Sequence, residues 1–367
     1  MLNKYILNSK IRTGSGIIAD NGRLTKADMV EMYVTEVDYD IILDAYQIDR
    51  VEVLEAYAAV KGRLNIEFIQ FILDLYNDKT RLKGVKGQED FYMKQKQMLN
   101  GLFGCCCTNI LKSGVKYEIP EDSNIQDWIR PELTAEYIHE KLDELRNSNS
   151  NCFQYVTGVY CTAYARQRLY RAISKLDDIV VYYDTDSIKV KYNQRAYDVI
   201  DEENRIITAK LRAAMEDFEL DPELLAPKDP KGSCHPLGVW EEEIEHFARR
   251  FRTLGAKRYV YETMDRELHI TVSGVSPKYG WKALKGNIEN FRKDLVFGYE
   301  AAHKLTSFYN DNQPHVYYRD YMGNINKSTL KYGICLQPMQ YSMSISPAFE
   351  AYVEEQQNGY TNGKILI

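Results

Sequence analysis

The sequence predicts a mixed α/β (α+β) fold in which long helices accompany an antiparallel sheet. Residues 179–183 are an apolar run that ends in two tyrosines, and residues 188–192 are a second strand-like run after a short acidic stretch, a pattern typical of paired antiparallel strands. Several longer stretches carry apolar residues at helical spacing. The length of 367 residues predicts two or three domains, with enough apolar material for a core.

Apolar periodicity, capping residues and glycine breaks place the individual elements. The first helix is expected to begin at a cap on Asp38 or Asp40 and to end near Tyr46, and the others are expected over 66–76, 88–107, 134–146, 156–173 and 202–219. The basic, glycine-bearing residues 83–87 join the second and third helices into a helical hairpin. Strands are expected between residues 237 and 272, around Trp240, Phe251, Tyr259 and Ile270.

Composition and charge exclude few classes of function. Hydrophobic residues make up 44% of the chain and charged residues 27%, which is typical of globular proteins. No apolar run approaches about 18 residues and the start does not resemble a signal peptide, so a cytoplasmic protein without a membrane partner is expected. The net charge of −6 leaves nucleic-acid binding open, because basic residues cluster in 79–96 and 249–258. Cys105, Cys106 and Cys107 are expected to be small buried residues in a reducing compartment, with a zinc site as the alternative.

Two carboxylates, Asp184 and Asp186, lie between the two strand-like runs. Alternate side chains of an extended strand share a face, so both acids are expected on one face with Cα atoms roughly 6–7 Å apart. That spacing suits a hard divalent cation bound through oxygen. Residues typical of a tight surface turn, such as Asn-Gly, are absent. The hairpin therefore indicates a metal site, with an ordinary acidic turn as the alternative.

The third predicted helix carries a second pattern. Lys96, Asn100 and Phe103 are spaced i, i+4 and i+7, so they share one face of the helix. The packing side is expected to consist of Met98, Leu99 and Leu102. A cation, an amide and an aromatic ring on one stripe can hold a phosphate, a sugar and a base together. The alternative is a solvated lysine beside a half-buried phenylalanine.

Together, these patterns resemble family B DNA polymerases. The helix from Lys96 to Gly104 is similar to their motif B, a Lys followed by Asn-Ser-x-Tyr-Gly, and Tyr182 to Ser187 matches their motif C, Tyr-x-Asp-Thr-Asp-Ser. Lys257-Arg258-Tyr259 resembles the Lys-x-Tyr motif, and all three motifs occur in the family's order. The resemblance covers about residues 30–280 and is strongest to the protein-primed phage and plasmid branch, the viral and organellar type B enzymes.

The resemblance implies a polymerase palm with an antiparallel sheet, helical-hairpin fingers and a small thumb. Residues 1–65 would form part of the palm and its N-terminal connection, and 66–107 the fingers with motif B. Residues 108–155 would be an insertion. Residues 156–274 would complete the palm with motif C and Lys-x-Tyr, and 275–367 would form the thumb and C-terminal region.

The resemblance also implies a site and a reaction. The enzyme would be a DNA-directed DNA polymerase that transfers a nucleotide from a dNTP to a primer 3′-hydroxyl, with two Mg²⁺ ions as cofactors and Mn²⁺ as an alternative. Asp184 and Asp186 would be the catalytic and metal-binding acids. The remaining residues would bind the nucleotide (Lys96, Asn100, Phe103, Tyr182) or the DNA (Lys257, Tyr259 and the basic Arg249 and Arg252).

The chain also departs from the family pattern. Gly101 replaces the usual Ser of motif B and Phe103 the usual Tyr. Motif A, an Asp before Ser-Leu-Tyr-Pro, and the exonuclease domain are not found, and Asp38-Tyr39-Asp40 falls at the connection into the fingers. The resemblance therefore implies a C-terminal portion that needs an N-terminal half carrying motif A.

The expected partners are primer-template DNA, dNTP, that N-terminal half and a terminal protein. A non-catalytic DNA-binding replication protein derived from a polymerase is the alternative. A reverse transcriptase is disfavoured, because such enzymes typically carry Tyr-x-Asp-Asp.

Overall fold

A computed structural model describes residues 5–20, 22–58, 62–107, 116–118, 127–129, 132–148, 154–242, 247–301, 305–310, 315–320, 322–329, 333–338, 340–345 and 360–366. The chain divides into two compact units. The first contains Met1–Cys107, Gln154–Glu267 and Ile345–Ile367, and the second contains Thr108–Phe153 and Leu268–Ser344. Much of the predicted insertion at 108–155 lies outside the described residues.

The elements follow one another in the order of a mixed fold. The helices are α1 (Glu36–Ala45), α2 (Ile66–Leu82), α3 (Glu89–Cys106), α4 (Ala135–Asn147), α5 (Tyr155–Leu176), α6 (Gln194–Asp217) and α7 (Pro277–Gly280). The strands are β1 (Ile11–Ser15), β2 (Ile18–Asp20), β3 (Arg23–Lys26), β4 (Met29–Met32), β5 (Lys116–Glu118), β6 (Asp127–Ile129), β7 (Val180–Asp184), β8 (Ser187–Lys191), β9 (Phe247–Thr253), β10 (Arg258–Thr263), β11 (Leu268–Val272), β12 (Val296–Phe297), β13 (Leu305–Asn310), β14 (His315–Arg319), β15 (Ile325–Thr329), β16 (Gly333–Pro338), β17 (Tyr341–Ser342) and β18 (Tyr360–Leu366). The predicted α/β (α+β) class is confirmed.

An antiparallel sheet forms the centre of the first unit, with neighbouring strands in the order β10, β9, β18, β8 and β7. The predicted hairpin is confirmed as β7–β8, and β9–β10 is a second hairpin. β18 pairs antiparallel with both β9 and β8, and Ile365 near its C-terminal end is fully buried. Its register shifts between Asn362 and Ile365, around Gly363, whose φ of 122° favours glycine.

The two faces of this sheet bury different cores. Ile173 and Leu176 of α5 pack with Val180 and Val190, and Tyr183 lies against the same cluster. Tyr182, the neighbouring residue on β7, packs instead with a second cluster of Ala248, Phe251, Tyr261 and Ile365. Successive strand side chains point to opposite faces, which separates Tyr182 from Tyr183. The register of β7 shifts between Val180 and Tyr182, so Val180 lies in the same cluster as Tyr183.

The helical hairpin α2–α3 is confirmed, with altered bounds. Asn65 caps α2 by accepting the N–H of Glu67 at 2.8 Å. The helix runs six residues past its predicted end at 76, where the Asn77 side chain donates to the backbone oxygen of Leu224 at 2.9 Å. A tertiary contact therefore sustains the last turns of α2, which the local apolar pattern did not reveal.

Two predictions of burial on α3 are wrong. Met98, expected on the packing side, is 39% exposed, because the half-buried stripe of α3 runs through Gln95, Leu99 and Leu102 instead. Cys105 is exposed and Cys107 half-buried, and Cys106 alone of the three cysteines is buried, because consecutive helical residues point in different directions.

The strand and helix bounds elsewhere differ modestly from prediction. α6 begins at Gln194 rather than at 202, after Asn193 accepts the N–H of Arg195 at 2.9 Å. Trp240, expected near the centre of a strand, lies in an irregular segment where its backbone N–H donates to the side chain of Asn204. Within the described residues no helix is long and apolar enough to cross a bilayer.

The second unit has its own core of Leu284, Phe291, Phe297 and Met343, all essentially inaccessible to solvent. Its strands form antiparallel pairs, β5 with β6, β12 with β17, β13 with β16, and β14 with β15. Thr134 caps α4, whose predicted position at 134–146 is confirmed within one residue.

Candidate active site

The two acids lie at the tip of the β7–β8 hairpin. Asp184 pairs with Ser187, so Thr185 and Asp186 form the turn. The N–H of Asp186 donates to the backbone oxygen of Asp184 at 2.5 Å, and Thr185 has a φ of 46°. A γ-turn with positive φ is rare, and it costs a β-branched residue on the order of 1–3 kcal/mol. The prediction that both acids lie on one face of an extended strand is wrong, because the chain reverses at Thr185.

The turn between β9 and β10 brings Lys257 to this hairpin. Lys257 also has a positive φ, 55°, and its backbone N–H donates to the Tyr182 hydroxyl at 2.9 Å across 75 residues of sequence. Its Nζ lies 3.7 Å from Oδ2 of Asp184. Two segments that the sequence separates widely, the β7–β8 hairpin and the turn that carries Lys257, therefore meet.

Aromatic rings support both turns. The ring centroids of Tyr182 and Tyr259 lie 4.9 Å apart, and Phe251 stacks on Tyr259 at 5.4 Å. The Nζ of the buried Lys189 lies 5.3 Å from the centroid of Tyr259. Aromatic pairs of this kind contribute about 0.5–1.5 kcal/mol beyond their buried area. The cluster fixes the directions in which the two turns leave the sheet.

Tyr182 is 9% exposed and is a neutral phenol near pH 7. The pKa of Tyr182 is raised to about 12, chiefly because the phenol is buried; the hydrogen bond from Lys257 lowers it in part, while Asp184 and Tyr259 contribute to raising it. Its oxygen is therefore a stable acceptor for the Lys257 N–H. The predicted contact between Tyr182 and a nucleotide stays a prediction.

The acids offer the oxygen ligands that Mg²⁺ prefers. Asp186 is exposed, while Oδ1 of Asp184 accepts a hydrogen bond from the Thr185 hydroxyl at 2.9 Å. In the part of the chain that the structure describes, no group of three or more His, Cys, Asp or Glu side chains is arranged to hold a metal ion. The pair fits a Mg²⁺ ion that takes its other ligands from water and substrate phosphates, as Mg²⁺ commonly does.

The predicted stripe on α3 is exposed along its length: Lys96, Asn100 and Phe103 all face solvent. In the described residues α3 packs chiefly against α2 and α5, rather than against β7 or β8. The structure thus brings Asp184, Tyr182, Lys257 and Tyr259 together, but places the α3 stripe on a separate element.

Other cations lie near Lys96. Burial lowers the pKa of Lys79 on α2, and the positive charges of Lys83 and Lys96 lower it further, while Glu241 raises it. The helical hairpin therefore concentrates positive charge around Lys96, which favours a polyanionic ligand.

The two arginines predicted to bind DNA have protein surroundings. Arg249 is 39% exposed, and its Nε lies 3.0 Å from Oε2 of Glu262. Arg252 is 9% exposed within the sheet. Contacts from either arginine to DNA stay predictions.

Asp38 is engaged in a structural cluster. Nε and a terminal nitrogen of Arg166 each donate to its carboxylate at 2.8 Å, and the hydroxyls of Tyr5 and Thr35 also donate to it. Both carboxylate oxygens of Asp38 therefore accept hydrogen bonds, and the pair with Arg166 holds α1 against α5.

The sequence patterns missed three contributors to the site, namely Lys189, Phe251 as a ring partner, and the strained Thr185. Lys189 looks like an ordinary polar residue on β8, and only its position across from Tyr259 gives it a role. The absence of glycine in the acidic turn was the one available signal for strain at Thr185.

Comparison with known proteins relates the chain to viral replication enzymes. It is 26% identical over 163 residues to the DNA polymerase of Bacillus phage B103, and 26% identical over 160 residues to the DNA polymerases of Bacillus phages Nf and M2. The chain is similar to phage DNA polymerases. The alignments cover 43–44% of this chain and 24% of each relative, so it spans about a quarter of their length. No protein-family profile and no solved structure matches it.

Proposed function

We propose that this chain forms part of the active centre of a family B DNA polymerase of the protein-primed branch. The observation that carries the proposal is the approach of Lys257 Nζ to Asp184 at 3.7 Å, beside the exposed Asp186. A cation next to two carboxylates can bind a primer phosphate while the acids bind divalent metal. The similarity to phage DNA polymerases supports the same reaction.

In this proposal each group at the hairpin has one role. Asp186 and Asp184 hold Mg²⁺, and Lys257 with Tyr259 grips the primer end. When bound, two Mg²⁺ ions (or Mn²⁺) supply activation of the 3′-hydroxyl and charge neutralisation of the triphosphate. The primer oxygen attacks the α-phosphate, a new phosphodiester bond forms, and pyrophosphate leaves.

The α3 stripe would receive the incoming nucleotide. Lys96, in the positive charge shared with Lys79 and Lys83, attracts the triphosphate. Asn100 and Phe103, exposed on the same stripe, contact the sugar and the base. Phe103 keeps a stacking face but lacks the hydroxyl of the usual tyrosine.

The proposal includes an N-terminal polymerase half as partner. Two carboxylates form the described acidic turn, and a third from motif A would complete the site. Because the alignments cover 24% of the phage enzymes, the partner would supply the segments that this chain does not match. A terminal protein, which would prime synthesis, is a further proposed partner.

Primer extension with the reconstituted pair tests the proposal. The chain is combined with the polypeptide encoded immediately upstream, and Mg²⁺-dependent incorporation on a primed template is measured for wild type, Asp186→Ala and Asp201→Ala. We expect Asp186→Ala to reduce incorporation by about 100-fold or more, since it removes transition-state charge stabilisation. Asp201, an exposed acid on α6, is the matched control and should leave incorporation unchanged.

Full incorporation by Asp186→Ala would refute the catalytic proposal. If the wild-type pair binds primed DNA without extending it, the alternative of a non-catalytic DNA-binding replication protein is favoured. Strong synthesis by the purified chain alone would refute its dependence on an N-terminal half.

A further inference from the structure

We propose that Tyr182 is a positioning residue: its hydroxyl holds the backbone of Lys257, and thereby sets the Lys257 ammonium against Asp184. This inference rests on the proposed function, and it replaces a direct nucleotide contact of Tyr182 with an indirect role. The observation behind it is the 2.9 Å hydrogen bond from the Lys257 N–H to the Tyr182 hydroxyl.

The conformation of Lys257 needs such a restraint. A φ of 55° is unfavourable for a lysine, and a free turn would leave this region readily. Neighbouring bonds hold the other side of the turn, where Leu254 N–H donates to Arg258 and Gly255 N–H to the Thr253 hydroxyl. The bond to Tyr182 is the one that ties the backbone of Lys257 itself to the acidic hairpin.

Tyr182 is itself rigid enough to transmit position. Its ring is buried between Phe251 and Tyr259, with centroid distances of 5.9 and 4.9 Å. It is two residues from Asp184 on the same strand, so the hydroxyl and the carboxylate belong to one face. Lys257 therefore contacts the hairpin at two points, through its N–H to Tyr182 and through its Nζ to Asp184.

The same strand provides a matched control. Tyr183 precedes Asp184 but packs with the cluster under α5, on the other face of the sheet. Tyr183→Phe removes the same hydroxyl group from the same strand without touching the Lys257 turn.

The test compares Tyr182→Phe, Lys257→Ala, their double variant and Tyr183→Phe. Hydrogen exchange of the Lys257 amide is measured by NMR on the full chain. Affinity for primed DNA is measured by fluorescence anisotropy in the presence of a chelator. The KM for dNTP and kcat are measured with the reconstituted pair.

We expect Tyr182→Phe to accelerate exchange of the Lys257 amide by about tenfold, through loss of one hydrogen bond, and Tyr183→Phe to leave it unchanged. Tyr182→Phe should weaken primed-DNA binding about three- to tenfold with the KM for dNTP unaltered. The double variant should bind primed DNA no more weakly than Lys257→Ala, because both changes remove one interaction.

Additive losses in the double variant, or a raised KM for dNTP with unchanged amide exchange, would overturn the inference and restore a direct nucleotide contact. If wild type fails to bind primed DNA, the proposed function fails. Amide exchange then still decides the restraint: an unchanged rate in Tyr182→Phe overturns it.

Discussion

Replacing Gly158 by alanine should loosen the contact between α3, the helix that carries the exposed stripe, and α5, the helix that leads into the acidic hairpin. A Cβ at Gly158 would lie 1.9 Å from Sγ of Cys107, and 3.3 and 3.4 Å from the Cβ atoms of Cys107 and Cys106. Glycine is therefore required here by the close approach of the two helices.

The size of the effect follows from these distances. Nonbonded heavy atoms pack at about 3.5–4.0 Å, so the thiol or the helices must move by roughly 1.5–2 Å. Overpacking a core costs about 1–3 kcal/mol, and Gly158 is buried, so we expect a loss of about 2–3 kcal/mol in the free energy of unfolding. Cys107→Ala in the Gly158→Ala background removes the overlapping sulfur, leaves close contacts of 3.3 and 3.4 Å that a small shift relieves, and should recover most of that loss.

Urea unfolding followed by far-ultraviolet circular dichroism measures these free energies. Gly101→Ala is the matched control, because a Cβ at Gly101 on α3 meets nothing within 4 Å. It should stabilise the protein by about 0.5–1 kcal/mol, through helix propensity alone.

The reasoning would be refuted if Gly158→Ala unfolded at the same urea concentration as wild type. It would equally fail if Cys107→Ala gave no recovery in the double variant. The first result would mean that the added methyl group is accommodated at no cost, and the second that the overlap with the Cys107 sulfur is not the source of the loss.

Three further predictions concern charged groups. Arg166→Ala should reduce the free energy of unfolding by about 3 kcal/mol, because it leaves the buried carboxylate of Asp38 without its cation. Thermal unfolding measures this loss, with Arg205→Ala, which removes an exposed ion pair, as the control. Burial raises the pKa of Asp38, but hydrogen bonds from Arg166, Tyr5 and Thr35 lower it below its ordinary value. The contribution of Asp38 to the free energy of unfolding should therefore be present above about pH 4 and be lost as the pH falls further. If an Asp38→Asn variant lost stability in acid to the same extent as wild type, this prediction would be contradicted. If Arg249 contacts a phosphate, Arg249→Ala should reduce the slope of log K for DNA binding against log salt concentration by about one. An unaltered slope would mean that Arg249 serves only as the ion-pair partner of Glu262.

The local pattern of apolar and polar residues was sufficient to predict those elements in which buried positions recur at regular spacing. The α2–α3 hairpin follows from amphipathic spacing and a glycine-bearing break, and β7–β8 from two apolar runs around an acidic turn. The same reasoning missed β18 and the strands β1 to β4. Short strands of mixed polarity acquire their structure from the partner strand, and for β18 that partner is distant in sequence.

The candidate site divides in the same way. Residue identity and order alone indicated Asp184, Asp186, Lys96 and Lys257, since the motif resemblance depends on which residues occur in which sequence. The motif resemblance could not predict the distances between these residues. The expected face-sharing of the two acids was wrong because the conformation of Thr185 is set by a turn rather than by strand alternation.

By itself the sequence determined the mixed fold class, the acidic hairpin, the exposed stripe on α3 and the similarity to a polymerase. Only the tertiary structure decided that Lys257 lies beside Asp184, that Tyr182 holds its backbone, and that Asp38 is committed to Arg166. The physical reason is that hydrophobic periodicity is a local property of the chain. A contact across 75 residues depends on how the buried faces of separate elements pack, and no single stretch of sequence encodes it.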